Sequence, residues 1–538
     1  MTRRSLKGIR NVLAGVCLAA VVGALPAAPV RAEVGMAFMQ AVAEASARDR
    51  DVAKWYRDTG YAPVWTAPGD EARMRRAALL DAFAVAHAHA LPEGKYSADK
   101  LRAMMSRAVT PRDLGRLEAE LTRVYLDFAT DIQTGVLVPR EVDDGIKREV
   151  PLRSVESYMT GITSPDPVGF VRGLAPRTGE YTRLLKAKLD LEYRVNHGGW
   201  GAPVAASSLK PGQEGRDVVA LRNRLIAMGY LPWSVGTRYD AEMQMAVQTF
   251  QEDHGLLPDG VAGAGTMTEI NVPIGERLKS VIVALERERW MNMERGKRHI
   301  LVNLTDFHAR IMDDDKLTFV TRSVIGQNTG DRRSPEFSDE MDHLVINPTW
   351  NVPRSIATKE YLPAFKRNPY SNSHLKLYNA RGQVVDRGSV NFAAYNERNF
   401  PFDVKQPPSS RNALGLVKFM FPNKYNIYLH DTPSKSLFDR EARDFSHGCI
   451  RLADPFDFAY ELLSRQEADP QGFFQSILRT GRETRVNLKE PVPVHLIYRT
   501  AVTDPKGRIT FRRDVYGRDG RVWDALQRAG VILPGGQS

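Results

Sequence analysis

Near residue 299 the apolar residues of this chain stop recurring every three or four positions and begin to alternate. Upstream, Leu121, Val124, Tyr125, Phe128 and Ile132 lie at helical spacing within 117–132, and 74–90 repeats the pattern. Downstream, Ile300, Val302 and Leu304 alternate with polar partners, and 307–312 and 316–325 flank Asp313-Asp314-Asp315 as the arms of a hairpin. Further strands are expected at 344–346, 417–420, 425–430, 492–498 and 508–511. Helices first and short-turned strands afterwards define a multidomain α+β protein whose second part is a small β-rich sandwich or partly open barrel. A length of 538 residues accommodates three or four such units.

Between the two regimes, 198–211 turns to Gly, Ala, Pro and Ser, a linker signal. A compact module spans 206–272. Val218, Leu221, Leu225 and Met228 form one helical stripe and Ala246, Val247 and Phe250 a second, with tight turns at Gly255, Pro258-Asp259-Gly260 and Gly263. The stretch 274–293 reads as an amphipathic helix with Leu278, Val281, Ile282, Leu285 and Arg289 on one side. If it packs back on the first helical domain, the module is an insertion. Inside the β-rich part, some sixty residues separate Asn347-Pro348-Thr349-Trp350 from Asn412-Ala413-Leu414-Gly415. A loop that long within a domain is functional or disordered, and 354–410 is expected to be a mobile cap.

Residues 1–32 carry Arg3, Arg4, Lys7 and Arg10, then an apolar run over 12–25, then Val30-Arg31-Ala32. This is the pattern of a secretory signal, with cleavage expected after Ala32, so the chain is expected in the periplasm by Sec rather than twin-arginine export. Val16 precedes Cys17 where a lipoprotein signal needs a small residue, so no lipid anchor is expected. Loss of five basic and no acidic residues takes the formal charge from +11 to about +6, a mild excess suited to an anionic polymer. No aromatic-interleaved basic run argues for nucleic acid. His87 and His89 are two apart, which on a helix turns them away from each other, and they read as solvated surface. His254 has no second ligand nearby, so no metal or other cofactor is implied.

The mature chain keeps one cysteine, Cys449, and forms no internal disulfide. A single thiol without a partner in an oxidising compartment favours catalysis over structure. It sits in Ser446-His447-Gly448-Cys449-Ile450-Arg451, with Tyr428-Leu429-His430-Asp431 upstream. Gly448 permits a tight turn before the nucleophile, and the N–H groups of His447, Gly448 or Cys449 can face an oxyanion. His430, on an expected strand, is the preferred base, and His447 is the alternative. The pair either transfers a proton on attack or rests as an ion pair.

His430, fifteen intervening residues and then Ser446-His447-Gly448-Cys449 resemble the L,D-transpeptidase signature. The longer strings His430-Asp431-Thr432-Pro433-Ser434-Lys435-Ser436-Leu437-Phe438 and Phe445 to Arg451 resemble the large periplasmic, YcbB-like branch. Trp55-Tyr56-Arg57 and Ala62-Pro63-Val64-Trp65 are similar to its scaffold domain. Leu209-Lys210-Pro211-Gly212, Gly229-Tyr230-Leu231, His254-Gly255-Leu256 and Asp259-Gly260-Val261 resemble a three-helix peptidoglycan-binding module. The resemblance implies a helical scaffold over 33–205, a wall-binding module over 206–272, a connecting helix over 273–298 and a YkuD-type catalytic domain over 299–538 with a capping subdomain.

The resemblance also implies chemistry. Cys449 attacks the carbonyl of the third residue of a donor stem, D-Ala leaves, and an acceptor amine resolves the thioester into a 3-3 crosslink. Water or a free D-amino acid as acceptor gives an L,D-carboxypeptidase or exchange enzyme instead; an inactive wall-binding scaffold is the reading from another class. Tyr428, Arg451, Trp350 and Asn412 are candidate substrate contacts, Arg451 for a stem carboxylate. A backbone carbonyl or, less directly, Asp431 orients His430. Stem peptides and glycan are the expected partners, with penicillin-binding proteins as further candidates.

Overall fold

A computed structural model describes residues 28–533. The expected signal sequence, with Cys17, lies almost wholly outside them. None of the described helices is long and apolar enough to cross a membrane.

The N-terminal helices pack around Pro111–Thr134, which starts at a Thr110–Asp113 capping box that satisfies free N–H groups from both sides. Buried Glu118 on that helix accepts from the backbone N–H groups of Val64 (2.6 Å), Trp65 (3.1 Å) and Thr66 (2.9 Å) and from the Tyr56 hydroxyl (2.9 Å). The Ala62–Trp65 segment is thereby wrapped on a carboxylate at the centre of an apolar cluster. The helix expected over 74–90 ends at Ala84, and the chain turns through 85–90. His89 is therefore not on a solvated face: its Nδ1 pairs with the Tyr181 hydroxyl at 3.0 Å, and burial lowers its pKa to about 4.

Arg216–Met228, Ala241–Asp253 and Ala264–Ile270 enclose a separate core of Val218, Leu221, Leu225, Val247 and Phe250. The two helices flanking this module, Gly179–Asn196 and Ile274–Trp290, share a core with each other and with Ala501, Phe511, Val522, Trp523 and Leu526. The module thus interrupts a continuous helical core, and the segment after residue 500 joins that core through Ala501, Phe511, Val522, Trp523 and Leu526 while Tyr516 packs into the barrel. Ile274–Trp290 departs from the amphipathic reading. From Val281 to Trp290 it is buried on all sides, and its charged residues there are paired: Arg289 with Glu286 (2.7 Å), Glu288 with Arg295 (2.7 Å), and Arg287 with Glu336 (2.6 Å) and Asp519 (2.9 Å). Charges this deep persist only where partners replace water.

The strands run β1 Arg298–Asn303, β2 His308–Asp313, β3 Lys316–Gly326 and β4 Phe337–Ile346. Asp314 and Asp315 take φ of 48° and 60° between β2 and β3, the left-handed pair whose twist suits a two-residue hairpin. The chain then leaves the sheet for β5 Trp350–Asn351, β6 Lys376–Tyr378, β7 Val384–Val385 and β8 Asp403–Gln406. It returns as β9 Val417–Met420, β10 Leu429–His430, β11 Asp444–Ser446, β12 Ile450–Leu452 and β13 Thr484–Ile497. The main sheet has nine strands in the order β11-β3-β12-β10-β9-β4-β13-β1-β2, and β2 pairs back to β3. The ring from β3 through β2 is therefore closed rather than partly open, with β11 attached to β3 as the remaining outer strand. β13 begins eight residues earlier than the alternation at 492–498 suggests, because it crosses β4 with a register shift between Asn487 and Val492.

The cap is a second sheet, β5-β8-β6-β7, with its own core of Trp350, Leu362, Phe365, Leu377, Phe392, Phe400 and Val404. Buried Arg387 donates to the carbonyls of Pro369 (2.7 Å), Asn372 (3.1 Å) and Leu375 (3.0 Å), replacing hydrogen bonds that short strands cannot make. Aromatic density, not strand alternation, is what makes this segment fold.

Candidate active site

The site is built on three neighbouring strands. β10 pairs parallel to β12, placing Leu429 opposite Ile450 and His430 opposite Arg451. β9 pairs antiparallel on the other side, placing Lys418 opposite His430. Side chains alternate across a sheet, so Leu429, Ile450, Leu452, Val417 and Phe419, all in the barrel core, settle the opposite face. Lys418, His430 and Arg451 share that outer face, and Cys449 and Tyr428 stand beside them, under the cap. Only β10's two residues are strand, whereas alternation suggests one over 425–430. Asn426 takes φ of 55°, and the bend turns its carbonyl toward Cys449 Sγ, 3.5 Å away.

His430 is buried, and its Nδ1–H donates to the backbone carbonyl of Asp431 at 2.5 Å. That fixes the ring and leaves Nε2 as the basic nitrogen. The Asp431 carboxylate is committed elsewhere, to the N–H groups of Leu416 (2.8 Å) and Thr432 (2.7 Å) and to Lys435 Nζ (2.8 Å). A carbonyl, not the neighbouring carboxylate, orients the imidazole. Burial, helped by the Arg451 and Lys418 charges, lowers the His430 pKa to about 3. Burial pushes the Cys449 thiol up to about 11, against the Tyr428 backbone and hydroxyl and the Arg451 charge, which favour the thiolate. The resting pair is neutral, not an ion pair.

Gly448 takes φ of 113°, a conformation that strains any other residue. The turn is locked by Ser446, whose hydroxyl donates to the Cys449 carbonyl (2.5 Å) and accepts from the Gly448 N–H (3.1 Å). Gly448's N–H is therefore already engaged and is not an oxyanion donor in this arrangement. Among the described residues the N–H groups of His447 and Cys449 have no acceptor. The His447 ring faces the cap, where Nε2 meets Glu360 at 2.8 Å, and Glu360 also pairs with Arg332 at 2.6 Å. A ring held this way serves the cap contact, not Cys449.

Of the expected substrate contacts, Tyr428 sits on the site face, its ring 5.6 Å from His430. Trp350 is buried in the cap core and reaches the site through the Tyr428 hydroxyl. Asn412 is a correction. It is fully buried, and its amide donates to the carbonyls of Pro348 (3.1 Å), Gln406 (3.0 Å) and Pro407 (3.0 Å) while accepting from the Leu414 N–H (2.8 Å). It fastens the two ends of the cap and offers nothing to a substrate. Sequence reasoning missed Ser334, which donates to the Gly448 carbonyl at 2.7 Å, and Glu360 and Lys418. Ser334 and Glu360 lie 114 and 87 residues from their partners, and no local pattern marks them. Lys418 is signalled only by its polar place in the alternating 417–420 strand.

Residues 297–492 match the model of the L,D-transpeptidase catalytic domain of the YkuD family. The chain carries an L,D-transpeptidase catalytic domain. Residues 50–187 match a scaffold domain and 214–270 the "Putative peptidoglycan binding domain". A curated Haemophilus influenzae protein named "Putative L,D-transpeptidase" is 30% identical over 237 residues, 43% of this chain and 47% of that protein. A 39-residue segment is 49% identical to general secretion pathway protein A of Aeromonas hydrophila, covering 7% of each. The chain thus spans about half the length of the first of these relatives and a small part of the second. Solved L,D-transpeptidases from Xylanimonas cellulosilytica and Stackebrandtia nassauensis are each 14% identical to it. They align over 55% of this chain and 100% and 97% of theirs, with TM-scores of 0.17 and 0.22. Among the described residues no cluster of His, Cys, Asp or Glu could hold a metal ion beside this domain.

Proposed function

We propose that the protein is a periplasmic, cysteine-dependent L,D-transpeptidase that forms 3-3 crosslinks between peptidoglycan stems. The observation that carries this reading is the shared face of Tyr428, His430 and Cys449, with the His430 tautomer set by the Asp431 carbonyl. His430 Nε2 takes the thiol proton as Cys449 attacks the carbonyl of the donor's third residue. The N–H groups of His447 and Cys449, which have no acceptor among the described residues, receive the oxyanion, a donor of this kind contributing roughly 3 kcal/mol to the transition state. The protonated imidazole then passes its proton to the departing D-Ala amine, and the side-chain amine of a second stem resolves the thioester. The module at 206–272 holds the enzyme on the wall, and the expected leader delivers it there.

Incubation of the mature protein with a disaccharide-tetrapeptide, followed by mass spectrometry, tests the reaction. A dimer lacking one D-Ala is expected, with a transient protein adduct on Cys449 that Cys449→Ser does not form. Near-normal crosslinking by Cys449→Ser would sink the reading; loss of D-Ala without dimer would assign a carboxypeptidase instead.

A further inference from the structure

The barrel fixes three residues of the turn that carries Cys449. The Ser446 carbonyl accepts from the Gln327 N–H at 2.8 Å, and its hydroxyl spans the Gly448 N–H and the Cys449 carbonyl. The Gly448 carbonyl accepts from Ser334 at 2.7 Å. His447 is the exception. Among the described residues its N–H and C=O have no partner, and its one hydrogen bond joins ring Nε2 to the Glu360 carboxylate, 2.8 Å away. Glu360 belongs to the cap. One of the two N–H groups free for an oxyanion therefore sits on the one residue of the turn that the cap holds. Glu360 is itself placed with care. It lies on a π-helical turn, Ala357–Tyr361, a rare geometry that recurs at functional sites. Arg332 braces the carboxylate from the other side at 2.6 Å, and the adjacent pair Asp331–Lys359 closes at 3.2 Å. Both partners come from the β3–β4 loop, which also supplies Ser334. Glu360 and the His447 ring are half-exposed, and ion pairs this wet contribute little to stability. What the contact fixes is a position.

We infer that Glu360 is a positioning residue for acyl transfer: by holding the His447 ring it sets the His447 N–H where the oxyanion forms, so the site is complete only with the cap seated. As Cys449 Sγ bonds to the donor carbonyl carbon, the thiol proton passes to His430 Nε2 and the C=O electron pair moves onto oxygen. That oxygen needs its donors at this moment and not before. With the cap lifted, Cys449 and His430 keep their places on the barrel while the turn gives up one donor. A donor that seats the cap completes the site, and a carbonyl compound that reaches the thiol without seating it meets an incomplete one. This inference rests on the acyl-transfer reading above, and it adds the cap residue through which closure reaches the chemistry.

Two reactions of Cys449 separate this role from a structural one. Acylation by a tetrapeptide stem forms an oxyanion, whereas alkylation by iodoacetamide displaces iodide at a saturated carbon and forms none. Mass spectrometry of the intact mature protein reads both. Glu360→Ala should slow acylation at saturating donor roughly 10- to 100-fold, somewhat less than outright removal of an oxyanion donor, while alkylation runs at least as fast as in the wild type. Glu360→Gln, whose amide oxygen still accepts from the ring, should recover most of the rate. His447→Ala should match Glu360→Ala, and the double variant should be no slower than either, because all three remove one contact. A Glu360→Ala variant that raises KM and leaves kcat unchanged reduces Glu360 to a fastening of the cap, and one whose alkylation slows in step with acylation places the fault in the thiol. Either result overturns the inference and leaves the transpeptidase reading standing. A wild type that forms no thioester overturns both.

Discussion

At the scale of single residues, the proposed chemistry starts from a protonated thiol and an unprotonated imidazole. With Cys449 near 11 and His430 near 3, neither group is charged at neutral pH, and His430 stays unprotonated well into acid. The thiolate fraction grows only as pH rises toward the thiol's own value. Iodoacetamide labelling of Cys449 should therefore climb about tenfold per pH unit from neutrality upward; a plateau by pH 7 would show an ion pair and overturn this. His430→Ala should lower turnover by roughly 10²- to 10⁴-fold at neutral pH and recover part of the loss in alkali, where hydroxide replaces the local base.

At the scale of elements, the cap is an ordered subdomain hung from two fastenings. Asn412 ties its entry at Pro348 to its exit at Gln406 and Pro407, and Gly415 follows at φ 62° with the Asp431 side chain where a Cβ would stand. Glu360 forms the second fastening, between Arg332 and His447. Asn412→Ala leaves the buried carbonyls of Pro348 and Gln406 and the half-buried one of Pro407 short of a donor, a loss of about 1–3 kcal/mol for each buried group left unsatisfied. Hydrogen exchange should accelerate across 357–406 in this variant while the core strands of the barrel keep wild-type protection. Uniform acceleration throughout the chain would show that the cap is not a separate unit.

At the scale of the whole molecule, one buried ionic network joins barrel to helices. Glu336, just before β4, binds Arg287 of the central helix and Arg518 of the C-terminal helix. Its backbone also exchanges hydrogen bonds with Gly145 and Lys147, each at 2.8 Å. Glu336→Ala leaves two buried guanidinium groups undercompensated. Breaking one such pair costs about 3–5 kcal/mol, which denaturant unfolding of the variant against the wild type should show. A variant within 1 kcal/mol of the wild type would mean that water replaces the carboxylate.

The proposed chemistry was legible in sequence because it is local. Ser446 to Arg451 carries the proposed nucleophile, Cys449, and its turn, and His430 precedes it on a short neighbouring strand. The helical stripes, the hairpin at Asp314-Asp315 and the strand at 417–420 were legible for the same reason, since each is a periodicity or a turn written in adjacent residues. What required tertiary structure is everything set by partners far away in the chain. Only the distant β1–β13 and β3–β12 pairings close the local β2–β3 hairpin into a barrel, and only packing from every side buries the charged residues of the helix from Val281 to Trp290. Asn412 became a fastener and Lys418 a neighbour of His430 through strand register. Spacing along the chain specifies which groups can react; pairing across it decides which of them meet.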